Sequence, residues 1–142
     1  LWDLSRGMYA SKLVGHGDRV NCIAIAPDGR HILSAGDDDL LLYWDLRRKT
    51  IEREITGHHG SIGAAVITPD GRFAFSGGED RNLRLWDLSN GKCLRTIAAH
   101  QNSVNALALS GDGSLLVSGS ADTNVKGWEF TWDYQFGTGV FR

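Results

Sequence analysis

Three groups of residues in this chain have the types that nucleophilic catalysis uses: His16, Ser34 and Asp38; His58, Ser76 and Asp80; His100, Ser118 and Asp122. A hydroxyl, an imidazole to take its proton and a carboxylate to orient the imidazole are the parts of an acyl-transfer centre. The spacing argues for something else. Each group reproduces the previous one 42 residues later, and each is followed at a constant interval by a tryptophan, Trp44, Trp86 or Trp128. A reaction needs its centre once, whereas a structural device in a repeated unit must be present in every copy. The expected role is a buried row of hydrogen bonds in which indole, hydroxyl, imidazole and carboxylate satisfy one another. Each such bond contributes about 1 kcal/mol net, and a buried member left unpaired costs about 1–3 kcal/mol.

Other residues with chemical potential carry weaker signals. His58 and His59 are adjacent, and no third ligand lies at metal spacing, so a loop is expected there and no metal. The glycine-rich stretch from Gly57 to Gly63 lacks the lysine of a phosphate-binding loop and a following helix, so it reads as a turn. Asp37, Asp38 and Asp39 lack the remainder of a calcium loop. No cofactor is expected.

The elements that position these residues follow from the repeat. Trp2, Trp44, Trp86 and Trp128 are each 42 residues apart, and no gap is needed to hold the register. A fixed period in the forties marks a repeat architecture in which each unit buries its apolar face against a neighbour. Within a unit the apolar residues alternate with period two. Val20 to Ile25 form one run, ended by Pro27-Asp28-Gly29; Ile32 and Leu33 lead a second; Leu40 to Trp44 and Ile51 to Ile55 form the third and fourth. Short runs between Gly, Pro, Asp and Asn clusters read as strands, and several at spacings of about ten residues read as all-β. The second copy gives strands near 62–67, 73–77, 83–87 and 93–97. The third gives 104–109, 115–119 and 125–130. The expected organisation is residues 1–14 as the third and fourth strands of a preceding unit, full units at 15–56 and 57–98, a last unit at 99–130, and a tail at 131–142. The chain is thus expected to begin inside a unit. In the tail, Trp132-Asp133 falls off the period, and an outer strand carrying Tyr134 and Phe136 is expected.

Composition narrows the function classes. Fifteen Lys and Arg face 17 Asp and Glu, with no basic stripe, so nucleic acid is not an expected partner. No apolar run approaches the roughly 18 residues of a spanning helix, so a membrane is not expected either, and no charged-then-apolar leader opens the sequence, so export is not expected. Cys22 and Cys93 occupy unlike positions in the repeat and are expected to be two buried thiols rather than a disulfide, which fits a reducing, cytoplasmic setting.

The Gly-His near the start of each unit, the Ser-Gly-x-x-Asp segment before the tryptophan and the closing Trp-Asp make residues 1 to about 130 resemble the WD-repeat β-propeller family. Departures are Ala99 before His100, Gly111 in place of proline, and Glu129 after Trp128. The run from Trp128 to Tyr134 is also similar to the ends of bacterial multi-repeat proteins of this family. The resemblance implies four-stranded antiparallel blades set radially round a channel, three full blades here plus two strands of another. The four-residue rows His16/Ser34/Asp38/Trp44, His58/Ser76/Asp80/Trp86 and His100/Ser118/Asp122/Trp128 become its buried structural tetrads.

The family motif also implies a partner face at the third and fifth residues after each His and the residue before each tetrad Asp. These are Arg19, Asn21 and Asp37; Ser61, Gly63 and Glu79; Ser103, Asn105 and Ala121. The implied function is a non-catalytic scaffold for protein or peptide partners. The alternative is a propeller domain of an enzyme or of a kinase-linked regulatory protein, with catalytic residues outside this chain. Propellers need about 4–8 blades, so this ring is expected to be incomplete and closed by further blades of the same protein or by self-association.

Overall fold

Three turns set the hairpins. Gly29, Gly71 and Gly113 have φ of +64°, +73° and +73°, the left-handed region that glycine enters without a Cβ clash. Each donates its N–H three residues back, to Ala26, Thr68 and Ser110 at 2.8–3.0 Å. The Asp before each glycine accepts the N–H two residues on, from Arg30, Arg72 and Ser114. A type I turn followed by a left-handed glycine reverses the chain tightly enough to pair the flanking runs as strands.

A computed structural model of the chain describes residues 1–133 and 138–141. The described residues are all-β. A short hairpin, β1 (Trp2–Asp3) and β2 (Met8–Tyr9), is followed by three four-stranded antiparallel sheets. The first holds β3 (Val20–Ile25), β4 (His31–Gly36), β5 (Leu41–Asp45) and β6 (Thr50–Ile55). The second holds β7 (Ile62–Ile67), β8 (Phe73–Gly78), β9 (Asn82–Asp87) and β10 (Lys92–Ala98). The third holds β11 (Val104–Leu109), β12 (Leu115–Ser120), β13 (Val125–Asp133) and β14 (Thr138–Phe141). Strands pair in chain order within each sheet. No helix of the described residues is long and apolar enough to cross a membrane.

The sheets stack face to face through two seams. Leu33, Leu41 and Tyr43 of the first sheet pack on Ile62, Ala65 and Trp86 of the second. Phe75, Leu83 and Leu85 of the second pack on Val104, Leu116 and Phe130 of the third, with the Phe75 and Phe130 rings 4.7 Å apart. The outward flank of the first sheet has no such cover. Val20, Ile23 and Ile25 are 44, 61 and 71% exposed, although their counterparts Ile62, Ala65 and Ile67 pack into the first seam.

Two expectations change. Cys93 is exposed and only Cys22 is half-buried, and both are unpaired. Position 93 opens an outer strand with solvent on both sides, whereas Cys22 points into the first seam, where burial pushes its thiol up to about 11. In the tail, Tyr134 and Phe136 lie outside the described residues, and the outer strand found is β14, paired with Phe130–Asp133. The reason lies at Glu129. Asp45 and Asp87 end their strands by accepting the N–H of Arg47 and Ser89, each at 2.9 Å. Glu129 stands in their place, and β13 runs on to Asp133.

Each loop between the second and third strands holds a non-glycine residue in the left-handed region: Asp39 at φ +64°, Arg81 at +69° and Thr123 at +73°. Asp tolerates this conformation, while a β-branched side chain does not. Thr123→Asn is expected to raise stability by about 1 kcal/mol, seen as a higher thermal midpoint. A midpoint that falls would show that the Thr123 side chain makes a compensating contact.

Candidate functional site

The sheets bring each four-residue row together. Trp44 Nε1 donates to Ser34 Oγ at 2.8 Å, Ser34 Oγ lies 2.7 Å from His16 Nε2, and His16 Nδ1 lies 2.8 Å from Asp38. In the second sheet the Trp86–Ser76, Ser76–His58 and His58–Asp80 separations are 2.7, 2.6 and 2.9 Å. In the third, Trp128–Ser118, Ser118–His100 and His100–Asp122 measure 2.9, 2.8 and 2.9 Å. The direction of each row follows from its ends. An indole N–H can only donate and an ionised carboxylate can only accept. The hydroxyl, accepting from the indole, has its own proton free for Nε2 of an imidazole in the Nδ1–H tautomer, and that Nδ1–H donates to Asp. All three hydroxyls are buried, so no substrate carbonyl reaches them and the rows do not act as nucleophilic triads.

The tetrad carboxylates also tie loops together. Asp38, Asp80 and Asp122 accept the N–H of Gly17, His59 and Gln101 in the loop before the first strand, and of Leu40, Asn82 and Asn124 two residues on. Burial works against their charge, yet the imidazole and backbone donors outweigh it and hold all three below the usual carboxylate range. Asp80→Ala is expected to destabilise the chain by about 1–3 kcal/mol by orphaning the His58 Nδ1–H and two backbone N–H groups. An unchanged melting midpoint would remove this row from the account of stability.

Two histidines give opposite pH signatures. Burial is the main cause that lowers the His58 pKa, aided by Arg84 and His59 against the pull of Asp80. His58 thus contributes stability that is lost as pH falls from about 6.5 toward its folded value. For His31 burial also opposes charge, but the bond to Asp28 and the Asp28 and Glu52 charges raise its pKa overall. Its contribution is full below about pH 6.5 and is lost as pH rises through its folded value. His31→Gln is expected to lower the thermal midpoint more at pH 5.5 than at pH 8.5. An equal drop at both would show that His31 stabilises only by stacking on Tyr43, 5.1 Å away.

Of the nine positions expected on a partner face, all but Ala121 line one cleft of about 650 Å³ that spans the three sheets. Their shared placement comes from a feature with no plain mark in the sequence. The register between first and second strands slips between Val20 and Cys22, between Ile62 and Ala64, and between Val104 and Ala106. Asn21, Gly63 and Asn105 are therefore bulged residues, and a bulge re-aims the side chain. Asn21 uses this to cross the first seam. Its Nδ2 donates to Asp37 Oδ1 at 2.7 Å, Ser61 Oγ at 3.0 Å and the Ile62 carbonyl at 3.2 Å. Ser61 and Arg19 also bond Asp37. Ser61 and Asn21 are the chief reasons that the Asp37 pKa is lowered.

Gly63 has a different part. A Cβ there would stand 2.8 Å from the Val104 carbonyl oxygen, so glycine lets the third sheet approach. Ala121 lies outside the cleft, while Asp39, Gly60 and Val104 line it without having been expected.

A family model described as WD domain, G-beta repeat matches residues 7–45, 49–87 and 91–129. Each matched unit ends at a pair within the third strand, Trp44-Asp45, Trp86-Asp87 or Trp128-Glu129. The unit 49–87 begins before β6, the outer strand of the first sheet, and ends with β9 of the second, so the sequence unit and the sheet are out of phase. No curated protein matches the chain.

Proposed function

Because the chain belongs to the WD-repeat family, we propose that it is a non-catalytic platform for protein or peptide partners and one sector of a larger β-propeller. WD repeats generally mediate protein–protein interaction. The observation that carries the reading is the cleft of about 650 Å³ on the face of the bulged residues. It gathers polar side chains from three successive blades, which single blades could not present together. Partner residues would meet Glu79, Ser103 and Asn105 at its rim.

The reading includes ring closure. The exposed Val20, Ile23 and Ile25 repeat a pattern that both seams bury, which supports a preceding blade seated against them. Further blades of the same protein are the favoured source. The unpaired thiols support a reducing, cytoplasmic setting.

The test substitutes the rim. Glu79→Arg, Ser103→Arg and Asn105→Arg together should leave the melting midpoint unchanged and abolish recovery of proteins that co-purify with the wild type. Equal recovery by both would overturn the assignment of this face.

A further inference from the structure

On the opposite face, in the seam between the first two blades, lies a second cleft of about 460 Å³. We propose that it is an oxyanion-binding notch in which Arg53 and Arg72 grip a phosphoryl or carboxylate group of a partner segment.

The repeat itself supplies the first argument. His31, Tyr43 and Glu52 line this cleft. Shifted by 42 residues, they become Phe73, Leu85 and Leu94, and Arg72 becomes Ser114. The fold therefore holds a blade together without these polar groups. A structural device recurs in every copy; Arg53 and Arg72 have counterparts in Arg95 and Arg30, but only here do they share a cleft with His31, Tyr43 and Glu52.

The second argument is what the polar groups leave unsatisfied. The carboxylates are engaged. Glu52 lies 3.3 Å from His31 Nε2, and Asp87 accepts the Ser89 N–H at 2.9 Å and its hydroxyl at 2.5 Å. Arg30 is committed to Asp45 at 2.6 and 3.2 Å. Arg53 and Arg72 are different, for among the described residues neither has a carboxylate within 4.0 Å. Arg53 Nη2 donates to the Ser89 carbonyl at 2.7 Å, and its buried Nε has no acceptor. Arg72 rests 5.2 Å over the Phe73 ring. A buried donor without an acceptor calls for an explanation, and two guanidinium groups in one cleft without a carboxylate partner suit a planar or tetrahedral oxyanion. A cation fits the cleft poorly. His31, Asp45 and Glu52 offer atoms within 4.8 Å of one another, but Arg30 already holds the Asp45 oxygen that a metal would need.

The experiment titrates the chain with inorganic phosphate and, separately, with acetate, while following arginine Nε–H resonances by NMR. The expected result is a saturable shift of Arg53 and Arg72 that spares Arg19 and Arg47. Arg72→Ser should weaken it about tenfold, as expected for a lost charged hydrogen bond. Arg72→Ser installs the residue that the third copy carries, and an unchanged melting midpoint would establish that it folds. Arg53→Lys, which keeps the charge but loses the fork, should weaken binding as well. A response to phosphate alone assigns a phosphoryl ligand, and a response to both assigns carboxylates too. No saturable shift, a common drift of all arginines, or an affinity indifferent to Arg72→Ser would overturn the proposal.

Discussion

Trp86→Ala is expected to destabilise the chain by about 3–5 kcal/mol, the range for removing a fully buried large aromatic side chain. Trp86 is 1% exposed and belongs to the cluster that joins the first two sheets. Its indole lies against Gly57, where a Cβ would come within 2.8 Å of the ring. The substitution thus opens a cavity in the first seam and removes the donor at the head of the second row. Denaturant unfolding would measure the loss, and Trp128→Ala provides the comparison. Trp128 is only half-buried, within the third sheet, which has no fourth neighbour among the described residues, so it should lose clearly less. Equal losses at the two positions would mean that the row, rather than the seam, sets the stability.

Ser76→Ala separates those two contributions, with an expected loss of about 2–4 kcal/mol. The hydroxyl is fully buried and serves two neighbours, accepting from Trp86 Nε1 and donating to His58 Nε2. Alanine removes almost no volume but leaves both groups buried and unpaired, each at about 1–3 kcal/mol. A double-mutant cycle makes the mechanism visible. In a Trp86→Phe background, one of the two groups is already gone, so Ser76→Ala should cost at least about 1 kcal/mol less. Strict additivity would show that the two side chains do not share the bond that the geometry gives them. Both predictions concern the middle sheet because it alone has a full neighbour on each side.

The second strands of the three sheets were legible residue by residue. Ser34, Ser76 and Ser118 recur with their partners because a buried row tolerates no missing member. The turn glycines were legible for a related reason, since a left-handed backbone at a tight reversal favours glycine over residues with a Cβ. The cleft was legible as a set of positions but not as a shape. Nothing in Val-Asn-Cys, Ile-Gly-Ala or Val-Asn-Ala distinguishes a bulge from a regular strand, and the bulge is what turns Asn21 across the seam. Gly63 looked like an open position on a face, but its missing Cβ makes room for the Val104 carbonyl of another sheet. Cys93 was expected to be a buried thiol from its unlike position in the repeat, whereas it lies on an outer strand whose side chains are mostly exposed. The cleft on the opposite face was hidden for a different reason. Its residues come from two units, and His31, Tyr43 and Glu52 are unlike their own copies, so the search for recurring positions passed over them.

The sequence by itself determined the period, the strands, the turns and the tetrads, because each rests on interactions within one unit, and a unit repeated three times states its own rules. Only the tertiary structure decided which side chains meet across the seams, where the two clefts open, and which flank stands bare. Those depend on how one sheet lies against the next, and that angle and separation are set by packed volume summed over both faces, a quantity that no single 42-residue unit contains.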